Sequence, residues 1–153
     1  MKIYAIKRSQ FVPISLDEAW DFFSDPGNLA TITPDHMGFK ITNDLDGRKM
    51  YAGQIITYKV SPLLGIPMTW VTEITHVKDK EYFVDEQRFG PYSLWHHTHF
   101  FEAVEGGTMC HDQVYYKVPF GILGRIMNSL MIRSQLNGIF NYRTKKLKEL
   151  FGA

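Results

Sequence analysis

The sequence predicts an α+β fold in which a strongly curved antiparallel sheet of about seven strands wraps around a long C-terminal helix, with two short helices after the first strand. Three observations support this fold. A helix-capping sequence directly follows the first alternating segment. Six further alternating segments then follow at spacings of about 8–14 residues, which favours an antiparallel meander. The last 30 residues carry apolar side chains at helical spacing.

The first strand is predicted over residues 2–12, whose apolar residues loosely alternate before Pro13 ends the pattern. Ser15 then occupies the N-cap position of a helix, and Glu18 follows three residues later, which is the spacing of a capping box. Apolar residues behind this signal recur at helical spacing, so we expect an amphipathic helix that ends near Ser24.

A second, brief helix is predicted directly afterwards. Asp25-Pro26 repeats the start signal, because an N-cap side chain precedes a proline at the first helical position. Thr33-Pro34 ends this helix near Ile32, because the residue before a proline disfavours the helical conformation.

From Phe39 to Val118 the pattern changes to strands separated by turn residues such as Asp46-Gly47, Gly90-Pro91 and Gly106-Gly107. The predicted strands lie at 37–43, 51–61, 67–77, 81–89, 93–104 and 108–118. A further turn is predicted over 62–65. The strands are expected to form one sheet with one apolar face.

One long helix is predicted at the C-terminus, with Gly152 as its stop signal. The apolar stripe expected to pack on the sheet consists of Leu123, Ile126, Met127, Leu130, Phe140, Leu147 and Leu150. Residues 121–153 also carry six basic residues against Glu149 alone. This charge is interpreted as a solvated helix face, with contact to phosphate or to an anionic membrane as the alternative.

The composition limits the class of protein. The 153 residues are 44% hydrophobic and 22% charged, which is typical of one globular domain spanning 1–153. The formal net charge of +1 gives no support to nucleic-acid binding, which usually needs a strongly basic domain. Aromatic residues make up 14% of the chain, and an apolar pocket is one use for them.

Cellular location is predicted from what the sequence lacks. Cys110 is the only cysteine, which excludes an internal disulfide and a CxxC zinc or redox site. The N-terminal segment has no signal-peptide pattern, and no apolar run approaches the ~18 residues of a membrane span. We therefore expect a cytoplasmic protein without integral membrane association.

The predicted architecture implies a cavity. A strongly twisted sheet wrapped around one helix leaves a gap at one end, because the helix cannot fill the whole concave surface. Such a gap is a natural place for a ligand.

Several segments resemble the START-like helix-grip (SRPBCC) superfamily. They are Val12-Pro13, Leu16 to Phe23, Asn28-Leu29, Gly90-Pro91-Tyr92, Trp95 to Phe100, Gly106-Gly107-Thr108 and Pro119-Phe120-Gly121. Their order along essentially the whole chain is similar to that of bacterial polyketide cyclase/dehydrase-like proteins. The resemblance implies a cavity for a hydrophobic or amphipathic small molecule, but it implies no particular reaction.

Strand alternation predicts which side chains face this cavity. Within 93–102, Trp95, His97, His99 and Phe101 share one face, which we assign to the concave side because it carries a Trp and a Phe. Phe100 is the exception, since this assignment leaves it outside with His96. The predicted ligand-binding residues are Tyr58, Trp70, Trp95, His97, His99, Asp112 and Tyr116.

Three roles remain open for His97 and His99. They are structural residues hydrogen-bonded to neighbours such as Asp112, polar groups that orient a ligand, or a metal or general-base site. The cupin metal pattern fails on spacing, because Ala103 and Val104 stand where it needs Glu. We therefore predict no metal and no cofactor, and no catalytic residue is assigned.

The predicted function is binding of a lipid-, polyketide- or aromatic-like small molecule between the sheet and the C-terminal helix. The alternative is a cyclase/dehydrase-type enzyme in which His97 or His99 acts as general acid or base on a polyketide-like substrate. A third hypothesis is an interaction module without a ligand.

Overall fold

The computed structural model describes residues 1–63 and 65–152, and it contains a seven-stranded antiparallel sheet that does not close into a barrel. The strands are β1 (Tyr4–Val12), β2 (Lys40–Ile41), β3 (Gln54–Leu63), β4 (Ile66–Lys78), β5 (Tyr82–Phe89), β6 (Leu94–Val104) and β7 (Gly107–Lys117). Their order in the sheet is β1-β7-β6-β5-β4-β3-β2. Strands β2 to β7 therefore form the predicted meander, and β1 pairs with β7.

The first helix, α1 (Leu16–Phe23), begins as the sequence predicts. The backbone N–H of Glu18 donates to Ser15 Oγ over 3.2 Å, and the backbone N–H of Ser15 donates to Glu18 Oε2 over 2.9 Å. Both halves of the capping box are present. The box fixes the start of α1 on the edge of the concave sheet surface, where Trp20 is buried.

The second predicted helix is shorter than expected. It consists of a 3₁₀ turn at Pro26–Asn28, and a second such turn follows at Asp35–Met37. Asp25 caps the first turn as predicted, because its Oδ1 accepts from the backbone N–H of Gly27 over 2.9 Å.

The sheet owes part of its curvature to β-bulges that the sequence did not reveal. Register shifts occur between Val60 and Leu63, between Val71 and Thr72, and between Ile74 and His76. A bulge adds one residue to one strand and increases the local twist, so the middle of the sheet wraps around the helix. Of the predicted turn over 62–65, Leu64 lies outside the described residues, as does Ala153.

The C-terminal helix contains three consecutive parts. They are α2 (Gly121–Met127), a π-helical segment (Asn128–Ile132) and α3 (Arg133–Phe151), which together run from Gly121 to Phe151. Gly152 ends the helix with a positive φ of 85°, as predicted. No helix among the described residues combines the length and hydrophobicity that crossing a membrane requires.

The predicted apolar stripe of this helix is wrong at four positions, while Met127 packs against the core as predicted. Phe140 and Leu147 are buried, but Leu130 is 75% exposed and Leu123 is 62% exposed. Ile126 and Leu150 are also exposed. The residues that face the sheet are instead Gly124, Asn128, Ile132, Leu136, Phe140 and Leu147.

Polar and steric contacts at the end of the sheet determine which residues in the first half of the helix face inward. The Tyr116 hydroxyl donates to Asn128 Oδ1 over 2.7 Å in a fully buried site. A side chain at position 124 would collide with the carbonyl of Pro119, so glycine is required there. These two contacts hold Gly124 and Asn128 inward and leave the neighbouring apolar side chains outside.

Candidate functional site

A cavity of about 140 Å³ lies between the concave face of the sheet and helix α3. Alternate residues of strands β3 to β6 form its floor, because side chains two apart on a strand share a face. Helix α3 covers it with Leu136, Ile139, Phe140 and Arg143. The cavity is therefore the gap that a curved sheet leaves beside one helix.

Aromatic rings form one wall of the cavity. Tyr58 and Trp70 stack with ring centroids 5.9 Å apart, and Trp70 meets Trp95 edge-to-face at 5.3 Å. Tyr92 packs against Trp95 at 5.1 Å. Burial raises the pKa of the Tyr58 and Tyr92 hydroxyls, so both remain neutral. This wall is large, rigid and apolar.

Two histidines form the polar end of the cavity. His97 and His99 lie two apart on β6, both are buried, and their rings stack with centroids 3.7 Å apart. Their inward orientation agrees with the prediction from strand alternation. Phe100 lies on the opposite face and is 39% exposed.

Each histidine bonds to a carboxylate on a neighbouring strand. His99 Nε2 donates to Asp85 Oδ2 over 2.6 Å, and His97 Nε2 donates to Asp112 Oδ1 over 2.7 Å. In the register, Asp85 on β5 stands opposite His97, and Asp112 on β7 stands opposite His99. Each short bond is therefore a diagonal one, and together they form the His–Asp cluster (Asp85, His97, His99 and Asp112).

Arg143 joins this cluster from helix α3. Its Nη1 donates to Asp112 Oδ1 over 3.3 Å, and the guanidinium lies over the ring of Phe140 with its centre 5.2 Å from the ring centroid. Arg143 lies three residues after Phe140, so both project from the same face of the helix. The helix thus supplies a positive charge that offsets part of the negative charge of the two carboxylates.

The pKa values of the two carboxylates are lowered. Burial alone would raise the pKa of Asp112, but Arg143 and the two histidines hold it well below its ordinary value. Burial would also raise the pKa of Asp85, yet His97, His99 and Arg143 together lower it. Both carboxylates are therefore ionised at neutral pH.

The pKa values of the two histidines move apart. Burial and the charge of His99 lower the pKa of His97, and the carboxylates only partly offset this effect. Burial also opposes charge on His99, but its hydrogen bonds to Asp112 and Asp85 raise its pKa above the ordinary value. When His99 is protonated, its imidazolium and the Arg143 guanidinium balance the two carboxylates, so the buried cluster then carries no net charge.

A metal-ligand set also exists here among the described residues, which the sequence interpretation missed. Asp85, His97 and His99 offer ligand atoms that all lie within 4.8 Å of one another. Asp85 therefore supplies a third candidate ligand beside the two histidines. However, ligands about 2.1 Å from one tetrahedral ion would lie about 3.4 Å apart, and the Asp85–His99 distance of 2.6 Å is that of a hydrogen bond. Absence of a metal stays a prediction.

The structure places five of the seven predicted residues in the cavity lining, namely Tyr58, Trp70, Trp95, His97 and His99. Asp112 does not belong to the lining but contacts His97 and Arg143, which do. Tyr116 is also outside it, because the end of the helix covers its strand there and its ring packs between Tyr4 and Tyr92. Its inclusion in the predicted lining is therefore corrected.

Two residues of the site were missed by sequence reasoning. Asp85 shares a face of β5 with Phe83, so the alternation of this strand would have predicted that Asp85 faces the cavity. Arg143 was counted only among the basic residues of the helix, although its spacing from Phe140 placed it on the inward face.

No protein-family model matches the sequence, and no curated protein matches it significantly. Solved structures match almost the whole chain. Protein CV1439 from Chromobacterium violaceum superposes with a TM-score of 0.73 at 13% identity, covering 97% of this chain and 98% of that one. Major latex-like protein 151 from Panax ginseng gives a TM-score of 0.69 at 12% identity, with 97% of both chains covered.

A third similar structure is a norcoclaurine synthase point mutant from Thalictrum, solved in complex with a transition-state analogue. Its TM-score is 0.67 at 17% identity, over 97% of this chain and 96% of that one. At such low identities the likeness establishes the fold alone.

Proposed function

We propose that this chain, whose START-like helix-grip fold those structures share, binds a small and largely apolar molecule between its sheet and its C-terminal helix. The observation that carries the proposal is the contrast within one cavity. Most of its wall is aliphatic or aromatic, while a few polar groups converge at one end. That combination is typical of ligand pockets, where apolar surface gives affinity and polar groups give orientation.

The cavity volume favours the aromatic-like class among the candidate ligands. An apolar cavity of about 150 Å³ is sufficient for a molecule of the size of benzene, and the volume here is about 140 Å³. A long-chain lipid or an extended polyketide would need the helix or the surrounding loops to move. We therefore propose a ligand with one ring and a short polar substituent.

The polar groups favour a ligand that accepts hydrogen bonds. Among the described residues that line the cavity, Trp70 Nε1, Thr72 Oγ1 and Arg143 Nε are buried donors without a hydrogen-bond partner. Leaving such donors unpaired is costly. A carbonyl or carboxylate oxygen at the polar end of the ligand would satisfy them.

A cytoplasmic location of the protein stays a prediction.

The binding proposal is tested with benzoate as the probe and the fluorescence of the cavity tryptophans as the signal. We expect saturable binding of benzoate and no saturable binding of decanoate. Ile139→Phe should weaken benzoate binding because the added volume fills the cavity, while Leu130→Phe, on the exposed side of the same helix, should not. Equal binding by both helix variants, or binding of decanoate alone, would contradict the proposal.

A second function, acid–base catalysis, is favoured by the split in histidine pKa values. Asp112 orients His97, whose pKa is lowered, and Asp85 orients His99, whose pKa is raised. A base and an acid held side by side by carboxylates are the parts that a cyclase- or dehydrase-type proton transfer needs. The second ring nitrogens, His97 Nδ1 and His99 Nδ1, lie 3.5 Å from Asp85 and 3.4 Å from Asp112, so each ring has to turn toward the substrate to act. In this role His97 removes a proton from a carbon next to a carbonyl, and His99 donates one to the oxygen.

This second function is tested by deuterium exchange. Phenylacetone in deuterated buffer has exchangeable protons beside its carbonyl, and NMR follows their loss. Catalysis by His97 predicts exchange faster than in buffer alone, and His97→Gln should abolish the acceleration. No acceleration by the unaltered protein would leave binding as the function of the cavity.

A further inference from the structure

The first half of the C-terminal helix presents an apolar surface to solvent. We define the exposed apolar face as Phe120, Ile122, Leu123, Ile126 and Leu130. Phe120 and Leu130 are each 75% exposed, Ile122 is 72% exposed and Leu123 is 62% exposed. These side chains recur at helical spacing, so they form one continuous stripe instead of scattered apolar residues.

In this helix segment the arrangement of an ordinary surface helix, with its apolar side inward and its polar side outward, is reversed. Its inward positions hold Gly124 and Asn128, whereas the positions turned to solvent hold leucine and isoleucine. The core therefore uses Ile132, and in part Met127 and Met131, but it leaves Ile122, Leu123, Ile126 and Leu130 exposed. Phe120, just before the helix, has a positive φ of 73°, which is unfavourable for a residue with a side chain.

The surroundings of the exposed apolar face are basic. A groove of about 290 Å³ beside Phe120 and Gly121 is lined by Lys2, Lys117 and Arg125, and none of its lining residues is acidic. Along the chain, residues 113–148 contain no Asp or Glu. The apolar stripe is thus bordered by positive charge that nothing nearby on the helix offsets.

We propose that the exposed apolar face docks this protein on the surface of an anionic lipid bilayer. The helix would lie in the plane of the interface, with Ile122, Leu123 and Leu130 among the acyl chains. Lys2, Lys117 and Arg125 would contact the anionic headgroups. A helix with an aliphatic face and flanking cations has the properties that interfacial binding requires.

Charge favours a membrane over a second copy of this chain. A two-fold interface through this face would bring the same basic groups of both copies together. Like charges at an interface are unfavourable, and no acid on the segment pairs with them. An anionic bilayer supplies both the apolar phase and the opposite charge.

The docking surface lies next to the ligand cavity. A groove of about 370 Å³ has Phe120 and Met127 in its lining, and it shares Pro62 and Tyr92 with the lining of the cavity. The surface that would contact the bilayer therefore lies beside the cavity. Docking itself does not depend on what the cavity binds.

The test is flotation of the full chain with vesicles of equimolar phosphatidylcholine and phosphatidylglycerol. We expect binding to these vesicles, weaker binding to phosphatidylcholine alone, and weakening by salt. The double variant Ile122→Gln/Leu130→Gln should bind about tenfold or more weakly, since two large apolar side chains are lost from the interface. Ile55→Gln, at a 43% exposed isoleucine on the sheet, is the matched control and should bind normally.

A second measurement locates the contact. Phe120→Trp provides a fluorophore within the face, and brominated lipids should quench it when vesicles bind. Circular dichroism melts of every variant should match that of the unaltered protein, because the substituted side chains are exposed. Failure of the unaltered protein to bind anionic vesicles would overturn the proposal, as would equal binding by the double variant. A dimer in solution that the double variant converts to a monomer would instead assign the face to a second copy and also overturn it.

Discussion

The two halves of the C-terminal helix carry similar apolar residues but bury different ones. In the first half, Gly121–Ile132, the leucine at position 130 is exposed and Asn128 is buried. In the second half, Arg133–Phe151, Leu136, Phe140 and Leu147 are buried and lysines face outward. The second half behaves as a surface helix should, and the first half does not.

The difference shows that position over the sheet decides burial, and hydrophobicity alone does not. The second half lies along the concave face, where Leu136, Phe140 and Leu147 belong to the apolar clusters of the core. The first half lies at the end of the sheet, where the Tyr116 hydroxyl requires a hydrogen-bond partner and Pro119 leaves no room for a side chain. The π-helical segment at Asn128–Ile132 joins the two arrangements.

The largest expected effect compares one residue from each half. Phe140→Ala should lower the free energy of unfolding by about 3–5 kcal/mol, because it removes a buried ring and leaves a cavity. Leu130→Ala should change it by less than about 0.5 kcal/mol, since Leu130 is exposed. Urea denaturation measures both values. If the two variants lost similar amounts of unfolding free energy, the two halves of the helix would not differ in burial as the structure indicates.

A smaller effect is expected at the polar contact of the first half. Asn128→Ala should cost about 1–3 kcal/mol, because the Tyr116 hydroxyl then stays buried without a partner. Tyr116→Phe in the same background removes that hydroxyl and should recover part of the loss. A double-mutant cycle by urea denaturation gives the coupling between the two residues. Zero coupling would show that this bond does not hold Asn128 inward.

In the second half, Arg143 is expected to make the free energy of unfolding depend on pH in the acidic range. The pKa of Asp112 is lowered in the folded state, so its stabilising contribution is present above about pH 4 and is lost as the pH falls through the folded pKa. Arg143→Met removes the largest cause of that lowering. The variant should therefore be less stable than the unaltered protein at neutral pH, and the difference should shrink in acid.

Urea denaturation at a series of pH values tests this expectation. Lys146→Met, a cation on the same helix that faces Glu149, is the control and should show no such convergence. A stability difference for Arg143→Met that stays constant with pH would assign Arg143 a packing role only.

The smallest expected effect is the separate titration of the two histidines beneath the second half. NMR of the imidazole nitrogens should show His99 titrating above and His97 below the ordinary value of about 6.5. Because the pKa of His99 is raised, its charge stabilises the fold below that value and this contribution is lost as the pH rises. The stability difference between the unaltered protein and His99→Gln should therefore narrow at high pH. Titration of both rings with the same pKa would contradict the expected difference between the two histidines.

The sequence predicted local elements well where the cause of an element is itself local. The capping box of α1 depends on Ser15 and Glu18 alone, and both bonds formed. Alternation on β6 placed His97 and His99 inward, because a strand cannot present neighbouring residues to the same face. The curved sheet and the long helix followed from the order of these elements.

The sequence did not predict features whose cause lies in another part of the chain. Asp85 meets the histidines only because β5 flanks β6 in one register. Asp112, by contrast, was predicted beside them, and β7 brings it there. Arg143 joins them only because the helix lies over the sheet. Tyr116 does not line the cavity, because the end of the helix covers its strand there. Likewise Asn128 was buried in place of Leu130 through a bond to a strand 12 residues away. Hydrophobic periodicity determines that a helix has an apolar side, while packing against fixed neighbours determines which side of it is buried.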